Sequence, residues 1–212
     1  MERIKSIDEQ WFWWINSHHS DWLDWIMWGF SQGWSWAVVI LLVFFFVTIR
    51  KDTKSWMWFL IGIALCFLLA DQISTNAIKD GVQRLRPCHA MEGVRMFQTG
   101  KGGLYGFVSS HAANGFAVAM FISFLYGGRQ RQDGKTRKEE RFWNSLGSGY
   151  RTPWITPLMM TWAIILSYSR PYLGKHYPGD IICGAILGLG IGAAVYFAIS
   201  KTRRFIASRS LQ

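Results

Sequence analysis

"SRPYLGKHYPGDIICGAILGLGIGAAVYFAIS", residues 169–200, sets two cations, a histidine and an aspartate directly against a long apolar run. From Asp180 to Ser200 that run has the ~20 residues that carry an α-helix across ~30 Å of hydrocarbon. Arg170, Lys175, His176 and Asp180 are costly to hold beside hydrocarbon, so their place at the mouth of a span points to function rather than to a solvated loop. The small residues of "GAILGLGIGAA" inside the run suit close packing of helices.

The rest of the chain has the same character. Of 212 residues, 50% are hydrophobic and 17% aromatic, including 13 Trp, while 17% are charged against about 25% in ordinary globular domains. Four further apolar runs, Trp34–Ile49, Trp56–Ile78, Phe107–Tyr126 and Trp154–Ser169, approach spanning length. Ahead of them, Ile7, Trp11, Trp14 and Ile15 recur at helical spacing with Asp8, Glu9 and Asn16 between them. The stretch Trp22–Phe30 is rich in tryptophan beside Asp21 and Asp24, which suits the headgroup zone. The expected fold is therefore an all-α polytopic membrane helical bundle, with about five transmembrane helices preceded by interfacial helices over residues 1–33. Without a continuous apolar core or small-residue cleavage site near its start, the chain is expected to keep its N-terminus. With no internal repeat, residues 1–212 read as one domain.

Charge sets the expected orientation. Loop 50–55 holds Arg50, Lys51 and Lys54; segment 127–153 holds Arg129, Arg131, Lys135, Arg137, Lys138, Arg141 and Arg151; the tail holds Lys201, Arg203, Arg204 and Arg209. Five alternating spans put all three on one side, which the positive-inside tendency makes cytoplasmic. The formal charge of +10 is then explained by basic segments beside anionic lipid, without nucleic acid as a partner. Cys66 and Cys183 fall inside spans and Cys88 in an external loop, an unsuitable disulfide framework. "RPCH" at 86–89 offers one Cys-His pair with no second pair at ligand spacing, so no metal site is expected.

Three external segments carry the chemistry: "KDGVQRLRP" at 79–87, "VSSH" at 108–111, and the stretch quoted at the outset. All three fall at the same ends of their spans, so they can meet although far apart in sequence. Lys79, Arg86 and Arg170 supply positive charge and donors, and guanidinium forks match phosphate oxygens well. Ser109 and Ser110 add hydroxyls at the start of a helix, where backbone N–H groups point at an anion. A neutral imidazole can attack phosphorus and a protonated one can release the leaving oxygen, so His111 and His176 suffice for a two-step phosphoryl transfer. Asp180, four residues after His176 near a helix start at Pro178, can fix which imidazole nitrogen is free. Asp71 reads as polar support beneath the site, and the glycine-rich loop 88–106 as a mobile rim over it.

Lys79, six residues, then Arg86-Pro87; Ser109 and His111; and Ser169-Arg170, five residues, His176, three residues, Asp180: this three-part pattern resembles the signature of the phosphatidic acid phosphatase type 2 superfamily, which includes the vanadium haloperoxidases. The resemblance implies that His176 is the nucleophile forming a phosphohistidine, with Asp180 as its orienting partner and His111 as general acid. It implies that Lys79, Arg86, Ser109, Ser110 and Arg170 hold the phosphate, and that no metal or other cofactor is needed. One block departs from the pattern: where the family usually has Pro-Ser-Gly-His, this chain has Val108-Ser109-Ser110-His111, which adds a Cβ and a hydroxyl.

Residues 1–212 are thus expected to form a membrane-embedded lipid phosphatase whose catalytic motifs span 79–180, in a bacterial inner membrane with its site on the periplasmic face. "RLRPCH" and "SSHAAN" resemble small bacterial members assigned to undecaprenyl diphosphate and to lipid A phosphates; phosphatidylglycerol phosphate is a third choice. The expected partners are the substrate lipid and the bilayer, with no obligate protein partner. Two other classes remain, a lipid-to-lipid phosphotransferase and a non-catalytic membrane protein in which His176 is dispensable.

Overall fold

The computed structural model describes residues 2–49, 56–127 and 153–209. Loop 50–55 and the cations from Arg129 to Arg151, which set the expected orientation, lie outside the described residues. Among the described residues the regular structure is helical: α1 Glu2–Ser17, α2 Asp21–Ser31, α3 Gly33–Ile49, α4 Trp56–Gln72, α5 Ser110–Tyr126, α6 Ile155–Tyr172 and α7 Pro178–Arg209. α4 continues through a π-helical turn, Ile73–Lys79, and a last turn, Asp80–Val82, so that Trp56–Val82 is one 27-residue helix.

By length and composition, Trp56–Val82 and Pro178–Ile206 are each sufficient to cross a bilayer, and α2 with α3 qualifies as a pair bent by 68°. The five expected runs are all helical where described, but their ends differ. The third helix starts at Ser110 rather than Phe107 because Ser109 caps it, accepting the Ala112 N–H at 3.4 Å. The fourth runs on to Tyr172 and so carries Arg170 on a helix instead of a loop.

α5 is the central helix. Its Ala112, Ala113, Ala117, Val118, Ala119, Phe121 and Ile122 are all fully buried, against α4, α6 and α7. In lipid, helices gain little from burying apolar surface, so backbone approach and van der Waals fit hold them together. α7 supplies Gly188 and Gly192 one turn apart; a Cβ at Gly188 would run into the Ala113 carbonyl, and one at Gly192 into that of Ala117. The outward faces carry Leu41, Leu68, Leu158, Ile164, Ile182, Ile186 and Phe197, as a lipid-facing surface requires. At one end of the bundle, Ile15 of α1 and Met27 of α2 pack on Tyr172 and Leu173.

Candidate active site

The α6–α7 connection is a tight turn. Gly174 has φ +76°, and its N–H donates to the Pro171 carbonyl at 3.1 Å while the Lys175 N–H donates to that of Arg170 at 2.9 Å. A Cβ at Gly174 would stand 2.7 Å from Val94 Cγ1 and 2.8 Å from the Arg95 carbonyl, so both conformation and space call for glycine. Pro178 then opens α7, a favoured first position because it has no N–H to lose. The turn leaves His176 2% exposed and Asp180 0% exposed, one turn apart, with His176 Nδ1 3.5 Å from Asp180 Oδ2. Asp180 Oδ2 also accepts the Tyr177 N–H at 3.0 Å, and Oδ1 accepts from Arg84 Nη1 at 2.9 Å.

The end of α4 delivers the second group. The π turn, a feature common at functional sites, places Lys79 Nζ 2.6 Å from Ser110 Oγ, which in turn lies 2.8 Å from Ser74 Oγ. Gln83, at φ 51°, ends the helix and redirects the chain into an extended strip. That strip pairs antiparallel with a second one: Leu85 opposes Tyr105, the Arg86 N–H donates to the Leu104 carbonyl at 3.0 Å, and the Gly106 N–H to that of Arg84 at 2.8 Å. In extended backbone Arg84 and Arg86 share one face. Gly106 lets the strips close on the site, since a Cβ there would stand 3.2 Å from both Arg86 Cγ and Asp180 Oδ2.

These elements bring the candidate residues together. His176 lies within electrostatic reach of Arg170, Arg86 and Lys79, and His111 within reach of those three and of His176. Arg170 is 7% exposed, and neither its Nε nor His176 Nδ1 has a hydrogen-bond partner. Among the described residues no carboxylate forms an ion pair with Lys79, Arg86 or Arg170; the nearby charge of Asp180 is bound by Arg84 instead. Buried cations without counter-charge are costly alone, and a tetrahedral oxyanion would relieve that cost. Burial, then Arg170, Arg86 and Lys79, holds the His176 imidazole well below its ordinary pKa, so it is neutral at pH 7. Burial also lowers Arg86.

Ser109 and Ser110 play unequal parts. Ser109 is fully buried, its N–H donates to the Asp180 carbonyl at 3.0 Å and its oxygen caps α5, which leaves only its O–H proton to offer. Ser110 faces Lys79 directly. Asp71 lines, with Phe67, Leu68, Gln72 and Asn114, a cavity of about 480 Å³. Asn114 is one turn along α5 from Ser110, so this cavity opens just beneath the serine.

Sequence reasoning passed over Arg84 and Asp8, and it singled out Lys175 without giving it a role. Lys175 is 5% exposed beside Arg170 and Arg86. Arg84 binds both Asp180 and Asp8. Its place two residues before Arg86 was a usable signal, whereas nothing near Asp8 announces a partner. The rim loop is pinned rather than free. Arg95 forks onto Asp24, which also accepts from the Tyr172 hydroxyl at 2.7 Å, and Asn16 Nδ2 donates to the Arg95 carbonyl at 3.0 Å.

The family model of the PAP2 superfamily matches residues 55–204. The chain belongs to the PAP2 superfamily. It is 29% identical over 204 residues to a lipid A 4'-phosphatase of Bacteroides thetaiotaomicron, covering 94% of this chain and 80% of that protein. It is 27% identical over 199 residues to a lipid A 4'-phosphatase of Porphyromonas gingivalis, covering 92% and 74%. Its fold resembles the crystal structure of a transmembrane PAP2 type phosphatidylglycerolphosphate phosphatase from Bacillus subtilis, with a TM-score of 0.62 and 17% identity over 97% of this chain and 89% of that one.

Proposed function

We propose that this PAP2 protein is a membrane lipid phosphatase that works through a phosphohistidine on His176, with a lipid A phosphate as its leading substrate. The observation that carries the reading is the trio of half-buried Lys79 and Arg86 with buried Arg170, gathered around two histidines and unpaired with any described carboxylate. Asp180 lies on the Nδ1 side of His176, leaving Nε2 to attack. In the first step the Nε2 lone pair forms a bond to phosphorus, the bond to the lipid oxygen breaks, and His111 gives that oxygen its proton. In the second, water attacks phosphorus, His111 takes the water proton, and the N–P bond breaks to release phosphate. The cations bear on the charge spread over the equatorial oxygens.

Two observations favour lipid A over undecaprenyl diphosphate. The curated relatives above bear that activity in their names and are covered over most of their length. The cavity beneath Ser110 is polar at its upper part, through Asp71, Gln72 and Asn114, and apolar at Phe67 and Leu68. A sugar lipid brings hydroxyl and amide groups to such a lining, whereas a polyprenyl chain brings none. The site is assigned to the periplasmic face of a bacterial inner membrane, where the basic segments would be cytoplasmic. The test is phosphate release by purified protein from lipid A, undecaprenyl diphosphate and phosphatidylglycerol phosphate, without an acceptor lipid. Lipid A is expected to be hydrolysed fastest, His176→Ala to abolish turnover, and an acid-labile phosphoenzyme to form only with wild type. Unchanged turnover in His176→Ala would remove the mechanism, and release that requires an acceptor would make the protein a phosphotransferase.

A further inference from the structure

Arg84 sits between two carboxylates from opposite ends of the chain. Its Nη2 is 2.7 Å from Asp8 Oδ2 on α1 and its Nη1 is 2.9 Å from Asp180 Oδ1 on α7. The guanidinium lies 3.9 Å from the centroid of the Tyr177 ring. The other oxygen of Asp8 accepts the Gly179 N–H at 2.7 Å, so α1 also satisfies a free donor in the first turn of α7. A Cβ at Gly179 would stand 2.9 Å from Asp8 Oδ2, so a side chain there would displace the Asp8 carboxylate.

α1 is held in place for this. Phe12, 0% exposed, meets Tyr177 edge to face at 5.6 Å, and Asn16 bonds the Tyr172 carbonyl at 2.9 Å. An adjacent stripe of Ile4, Ile7, Trp11 and Trp14 stays exposed, as on a helix resting in the headgroup zone. We infer that Asp8 and Arg84 are positioning residues of the reaction: α1 brings Asp8 to Arg84, Arg84 fixes the Asp180 carboxylate, and Asp180 sets the His176 ring. The inference rests on His176 being the nucleophile.

His176 faces Asp180 from α7, Arg170 from α6, Lys79 and Arg86 from the end of α4 and the strip after it, and His111 from α5. Arg84 and Asp8 add opposite charges behind Asp180, so removing them must move the imidazole in opposite directions. The experiment measures kcat, KM and the pH profile of kcat/KM for full-length wild type, Asp8→Asn, Asp8→Glu, Arg84→Gln and His176→Ala, with lipid A in mixed micelles as probe. Asp8→Asn is expected to lower kcat about 10-fold with KM within about 2-fold, and to move the acid limb to lower pH. Arg84→Gln is expected to lower kcat about 100-fold and to move that limb to higher pH. Asp8→Glu, which keeps the charge, is expected to return the limb to its wild-type position. Wild-type kcat in Asp8→Asn, or limbs that stay put or move together, would overturn the inference. Should Arg84→Gln not fold, the downward shift in Asp8→Asn and its reversal in Asp8→Glu decide the matter alone. Activity surviving in His176→Ala would instead defeat the phosphohistidine reading, a separate failure.

Discussion

The seam between α5 and α7 and the pocket at its end are neighbours built by opposite means. In the seam, Ala113 and Ala117 meet Gly188 and Gly192 with nothing charged between them, and closeness is reached by leaving atoms out. In the pocket, Lys79, Arg86 and Arg170 are crowded together beside the buried His176 and the half-buried His111, and the arrangement has more positive charge than its surroundings neutralise. The seam is optimised for the protein alone. The pocket is not, and that deficit is what the proposed phosphate ligand would fill.

Substitutions should therefore separate stability from activity in opposite ways. Arg170→Met should cut kcat by at least about 100-fold while the thermal midpoint in detergent holds or rises, because it removes an unpaired buried charge. A change confined to KM would contradict the electrostatic role of Arg170. Gly188→Leu should do the reverse, costing ~2 kcal/mol or more of stability through overpacking, read as a lower midpoint and yield with near-normal turnover per folded molecule. The pH profile sharpens the contrast without mutation. The His176 imidazole is held low by burial and the cations, so it stays neutral and able to attack as pH falls through the ordinary histidine value of about 6.5. The acid limb of kcat/KM that reports it should lie below that pH; a limb above it would mean that Asp180 outweighs the cations. The smallest effect belongs to the cavity under Ser110. Asn114→Leu should raise KM a few-fold, by roughly 1 kcal/mol, for lipid A and leave KM for undecaprenyl diphosphate unchanged.

Much of this molecule can be read from local pattern. Apolar runs and helical spacing report what each residue does within a few turns of itself, so α1 and the five longer helices were legible, and so were the three blocks at 79–87, 108–111 and 169–180. What escaped depends on partners far away in sequence. Asp8 and Gly179 are 171 positions apart, and Asp24 and Arg95 are 71 apart, so no spacing rule joins them. The π turn before Lys79 and the use of Ser109 as a helix cap also escaped, because both follow from how α4 and α7 meet α5 rather than from the residues alone.

The 32 residues of α7 make a continuous rod of about 48 Å from Pro178, beside the histidine, to Arg209. A rod of that length, set across a bilayer, holds His176 near one membrane boundary, and a phosphate facing the other leaflet is separated from it by ~30 Å of hydrocarbon. Such a lipid is out of reach until something turns it over. On the proposed function, hydrolysis would then depend on which leaflet presents the phosphate as well as on the headgroup.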